Sequence, residues 1–281
     1  MPHCRFCNIA TEGLQYAIPE PTKSFLLPIS DVGWNKGGLG NEASSSLVSL
    51  FTSESGSMGR FAVMCQASHL LGHVIGHRNL SKAGDPDTTF QLNEALQLHR
   101  TLVALKGRIT VGESLGNQNL SEAESSIEAL ALVCSARFIL YNIYGCSEPD
   151  VRLNSNQLQL ATEMQRLSIE GVVDLATNWV PKIAKLVTDI FNSSSGSKLA
   201  GKTISPTLIH CLYHAATEHA WFIREGCGPD MTSRLKVCVS ALEQLQTSWA
   251  VSSKIYRFAT LEIQSNKASG NRTISCSACK R

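Results

Sequence analysis

Between Arg60 and Lys106 the apolar residues recur at helical rather than strand spacing, and this pattern alone removes most fold classes. In the run FAVMCQASHLLGHVIGHRN, the residues Val63, Met64, Ala67, Leu70, Leu71, Val74 and Ile75 gather on one face of a helix turning about 100° per residue. After a Gly-Asp-Pro break, FQLNEALQLHRTLVALKG carries two stripes, Leu92, Leu96, His99 and Val103 on one side and Leu98, Leu102 and Leu105 on another. A helix with two apolar stripes needs cover on two sides. The pair therefore predicts stacked helices inside a larger helical assembly.

The same periodicity continues along the chain. Ser121 and Glu124 stand at capping-box spacing ahead of a third helix, in which Ile127, Leu130, Ala131, Cys134, Phe138 and Tyr141 share a face before Gly145 ends it. Leu132, Ile139 and Ile143 line its other side, the pattern of a helix in the middle of a bundle. From Gln157 to Ile190 the pattern runs on at unusual length, with Pro181 expected to kink or divide it. A serine-rich run, residues 193–197, then predicts a surface loop. Ser205 and Pro206 signal a new helix with Leu208, Leu212, Ala215 and Phe222 inward and Gly226 as its stop. Gly228-Pro229-Asp230 restarts the chain, Leu235, Cys238, Leu242 and Leu245 follow at helical spacing, and Trp249, Ile255 and Phe258 extend it into a last helix.

The expected fold is all-α: an irregular multi-helix bundle over residues 60–263, with a disordered leader at 1–59 and a flexible tail at 264–281. The leader carries Pro19, Pro21, Pro28, a Gly-Gly-Leu-Gly run and serine clusters, which read as loop. Net charge is only +2, with Lys and Arg scattered singly, so no basic stripe marks a nucleic-acid surface. Ten cysteines in 281 residues are too dilute for a disulfide framework, and Cys65, Cys134, Cys211 and Cys238 lie in helical patterns as buried thiols. No secretion signal is present, because Pro28 stops the best apolar start, and no run of about 18 apolar residues suggests a membrane span. The expectation is an intracellular soluble protein.

Four segments, in order, carry a resemblance: CQASHLLG from Cys65, EALQLH from Glu94, ALVCSARFILYNIYGC from Ala131 and SALEQLQTSWAVSSKIYRF from Ser240. Together they resemble the middle homology region of fungal-specific transcription factors of the binuclear zinc cluster family. The resemblance implies a helical regulatory or effector domain acting in transcription by RNA polymerase II, a nuclear location and no enzymatic activity. It also implies protein partners: related transcription factors as homo- or heterodimers, coactivators, and a small-molecule effector held between helices. Relatives read DNA through a zinc cluster built on six cysteines. Here Cys4 and Cys7 lack the third cysteine and the basic run, and Cys276 and Cys279 stand alone, so DNA contact is not carried over to this chain. Two readings follow: a gene model starting downstream of the DNA-binding exon, or a shortened regulator acting through protein contacts.

Other constellations have blander readings. The terminal cysteine pairs have the soft ligands of a four-thiolate zinc site but lie at opposite ends of the chain, in segments expected to be flexible. His69, His73 and His77 recur every four residues, a chelating interval, yet fall opposite the apolar stripe with no acidic ligand at a matching position; a solvated face is expected. His210, His214 and Glu218 would suit a catalytic zinc or iron and form the competing reading, a metal-dependent helical enzyme. That set lacks the glutamate directly after the first histidine that zinc hydrolases of this kind use as general base. His99 sits in an apolar stripe and reads as a core imidazole bonded to a carbonyl. Gly38, Gly40 and Ala43 match a dinucleotide fingerprint with no strand before it. No nucleophile elbow or phosphate loop occurs. The expectation is therefore no catalytic, cofactor-binding or metal-binding residue. A third reading, a small-molecule receptor without catalysis, leaves no fixed motif.

Overall fold

The computed structural model describes residues 60–83, 88–109, 120–145, 153–193, 205–226 and 230–246. Among them the secondary structure is helical throughout, with no strand: α1 (Arg60–Ala83), α2 (Thr88–Arg108), α3 (Leu120–Tyr144), α4 (Ser155–Asp174), a π turn (Leu175–Trp179), α5 (Val180–Ser193), α6 (Thr207–Arg224) and α7 (Asp230–Gln246). The all-α expectation holds. The expected leader, the serine loop from 194 onward, the last helix with Trp249, Ile255 and Phe258, the tail, the dinucleotide match and both terminal cysteine pairs lie outside the described residues.

Helix α3 is the axis of the bundle, packed against α1, α2, α4, α5 and α6. Residues 129–141 are buried without a break, because apolar side chains cover its whole circumference and neighbours stand on every side. At about 1.5–3 kcal/mol for each large side chain removed from water, Ile127, Leu130, Leu132, Phe138 and Leu140 make this helix the main hydrophobic contributor. Ser126–Tyr144 is also apolar and long enough to cross a membrane, with a mean hydropathy of 1.4. Its burial inside the bundle, 78% over that window, accounts for the same apolarity as that of a core helix.

Hydrogen bonds fix how the others run. Gln157 donates to Thr89 at 3.0 Å and Lys106 to Asp174 at 3.0 Å, so α2 and α4 run in the same direction. Phe138 stacks on His214 at 5.9 Å and α6 lies along α3, while α7 packs against α6 and α5. Leu92, Leu96, Leu98, Leu102 and Leu105 are all buried, giving α2 its cover on two sides; Val103 of the first stripe is only half-buried. Asn154 caps α4 reciprocally with Gln157, a capping box built on Asn. Gly226, at φ +75°, takes the left-handed backbone that lets the chain leave α6 two residues after Arg224.

The long helical run is divided as Pro181 demands, but by a π turn rather than a break. Proline has no N–H, so the carbonyl of Thr177, four residues earlier, loses its helical donor. The turn shifts the bonding by one residue, Val180 N–H reaching the Leu175 carbonyl. Arg234 of α7 then donates its Nη1 to the Thr177 carbonyl and supplies the missing bond. The adjoining Ala176 carbonyl faces the His219 ring without closing a hydrogen bond.

Candidate functional site

The polar groups that matter stand where α2, α3, α4 and the π turn meet. Arg137 is one cation in the apolar sweep of α3, and at 3% exposure it lies inside the bundle. Its Nε donates to the Tyr141 hydroxyl at 2.9 Å, one helical turn on, and its Nη2 lies 3.5 Å from Asp174. Nη1 is buried with no hydrogen-bond partner. Asp174, the last residue of α4, also accepts from Lys106 at 3.0 Å and from Asn178 at 3.2 Å. Burial pushes its carboxyl up, and the bonds from Lys106 and Asn178 with the charges of Lys106 and Arg137 outweigh that, so its pKa is lowered overall.

Tyr141 links this ion cluster to α2. Its hydroxyl, which accepts from Arg137, donates to His99 Nδ1 at 2.9 Å. Burial and then the Arg137 charge lower the His99 pKa, which keeps the imidazole neutral and able to accept. His99 is half-exposed and bonds a phenol, where the sequence suggested a core imidazole on a carbonyl; the nearest turn carbonyls are already spent on the helix. Gly171 completes the seat. A Cβ there would come within 2.3 Å of Tyr141 Cε2, so only hydrogen at this position lets α4 approach the ring. Lys106 also stands over the Trp179 ring at 4.4 Å, with Lys182 at 5.1 Å, tying the π turn to the same cluster.

A second chain of polar groups locks the other end of α2. Tyr144 hydroxyl and Glu94 Oε2 each lie 2.6 Å from a ring nitrogen of His77. A hydroxyl, imidazole and carboxylate in that order resemble the relay of acyl-transfer enzymes. Burial and then the Glu94 charge raise the pKa of the phenol, which holds it protonated. His77 is 1% exposed, which corrects the expectation of a solvated three-histidine face: α2 and α3 close over it, and only His69 and His73 remain on the outer side.

Of the residues set aside for metal chemistry, His210 and His214 do meet, Nε2 to Nε2 at 3.1 Å. Burial lowers both pKa values, that of His214 to about 4, and the Arg78 charge nearby lowers them further. A cation beside this half-buried pair opposes a metal ion there. Glu218 does not join them in a metal-holding group, and among the described residues no three His, Cys, Asp or Glu do. Burial alone raises the Glu218 carboxyl to about 7. Cys134, Cys211 and Cys238 are buried thiols, as expected, whereas Cys65 is only half-buried; a hydrogen bond donated by the Cys211 thiol to Cys134, together with burial, raises Cys211, and burial takes Cys238 to about 12.

The Arg137 cluster was missed in the sequence, although a lone arginine inside some fifteen mostly apolar residues is a visible signal. Its partners Asp174 and Lys106 carry none, being ordinary charges at ordinary places. Comparison with protein-family models, with curated proteins and with solved structures finds no match.

Proposed function

We propose that this chain is a regulatory and interaction domain of the fungal transcription-factor type. It would work in the nucleus on transcription by RNA polymerase II, meeting DNA only through a zinc-cluster module that these residues do not contain. The observation that carries the reading is the Arg137–Asp174 joint beside the π turn. Its charged groups are spent on tying four helical elements in one register. Buried ionic groups contribute little net stability and are best suited to fixing one arrangement over another. Beside a π turn, a common site of functional bending, such a joint suits a domain that transmits a change of helix packing to a partner. The resemblance in four ordered segments supplies the biological context.

The test is a reporter assay in a fungal cell, with the full chain fused to an unrelated DNA-binding module. The expected result is a change in reporter output, altered again by Asp174→Asn, with the unfused protein in the nucleus. Output equal to that of the bare module, with the protein outside the nucleus, refutes the proposal.

A further inference from the structure

We propose that His69 and His73 form a two-imidazole chelate on the outer side of α1 for a divalent late first-row transition metal ion. The two Nε2 atoms face one another at 3.1 Å, with ring centroids 4.5 Å apart and planes at 88°. Imidazole nitrogens bind such ions at about 2.0–2.1 Å, so a separation of 3.1 Å subtends about 100° at a shared ion. That angle lies between the square and tetrahedral values and suits copper, nickel or zinc. The helix supplies the geometry, since residues four apart stand one above the other.

The surroundings separate this pair from its twin. His210 and His214 show the same 3.1 Å spacing and are half-buried, but they share their surroundings with the Arg78 guanidinium. His73 is exposed and His69 half-buried, so an ion there keeps water in its remaining positions. No third His, Cys, Asp or Glu among the described residues joins the pair, so the protein contributes two ligands and water the rest. In the metal-free pair an N–H on one Nε2 bridges to the other; an ion bound through both Nε2 atoms shifts that proton to the Nδ1 of the same ring, so both imidazoles stay neutral, no net proton is released and neither ring has to turn over.

The test titrates the full chain, free of any histidine tag, with Ni2+ in a non-chelating buffer, followed by calorimetry. His69→Gln, His73→Gln and the control His214→Gln are compared, and thermal melts confirm that each is folded. One equivalent per chain is expected. The second ligand binds intramolecularly, so loss of either outer histidine should weaken binding about a hundredfold, and His214→Gln should leave it unchanged. Co2+ is added in parallel, because thiolate ligation has its own charge-transfer absorption. Absence of binding, binding by either outer variant as tight as by the wild type, a thiolate band accounting for all the bound metal, or one ion per two chains each overturns the chelate.

Discussion

Replacing Gly171 by alanine should destabilise the protein, although alanine is the better helix former. In an open helical position the exchange stabilises by about 1 kcal/mol. At Gly171 the new methyl meets Tyr141 at 2.3 Å from Cε2 and 2.6 Å from Cζ, well inside van der Waals contact. The ring has no free direction of retreat: it is fully buried, and its hydroxyl is bonded at 2.9 Å to both Arg137 and His99. Overpacking of this kind costs about 1–3 kcal/mol, and strain on a hydrogen bond to a charged group adds roughly 1 kcal/mol. Net of the helix gain, the loss is about 2 kcal/mol, or about 4–8 °C in Tm for a domain of this size. Gly76 of α1 is the control, because a Cβ there meets nothing within 4 Å. Gly76→Ala should gain up to about 1 kcal/mol by the same propensity. Thermal and urea unfolding followed by circular dichroism measures both. A Gly171→Ala protein as stable as wild type, or loss at both positions, refutes the reasoning; with Tyr141→Leu added, the Gly171→Ala cost should shrink, a non-additivity that assigns it to the ring.

Asp174→Asn should cost about 1–3 kcal/mol by leaving Arg137 without its carboxylate, measured by urea unfolding. Because the folded pKa of Asp174 is lowered, its contribution is present above about pH 4 and lost as pH falls through the folded value; Asp174→Asn should flatten that acid limb. His210, His214 and His219 are all lowered, chiefly by burial, the last two to about 4, so stability should fall as pH drops from about 6.5 toward 4, by up to about 1.4 kcal/mol per unit for each proton taken up. Glu218 has the opposite sign: raised to about 7, it favours folding when protonated, and that contribution is lost as pH rises from about 4.5 through 7. Glu218→Gln should therefore stabilise the protein at pH 8 by roughly 1–3 kcal/mol, and no change in midpoint there would contradict the burial argument.

The helices were legible because burial imposes a period, and α3 carried the plainest signal: apolar on all sides, it could only be central. Pro181 announced an interruption, but the sequence does not say that one extra residue would be absorbed in a π turn, since that depends on a donor arriving from α7. The three-histidine repeat was split for a similar reason. The interval of four residues puts His69, His73 and His77 on one slowly drifting line, and only the approach of α2 and α3 decides which of them is covered. The Arg137 joint was the least legible part. Its members lie far apart in the chain, and charge pairing across such distances follows from the packing of helices rather than from any local rule.

Proline at 181 keeps an acceptor vacant on its own helix and so reserves it for Arg234. The long rod and α7 thus own a single oxygen jointly. Any partner that pulls α7 away strips the rod of its substitute donor at its weakest turn, so detachment at one element is felt as bending in the other. An alanine at 181 would restore the rod's own N–H, create a rival for that oxygen and uncouple the two movements.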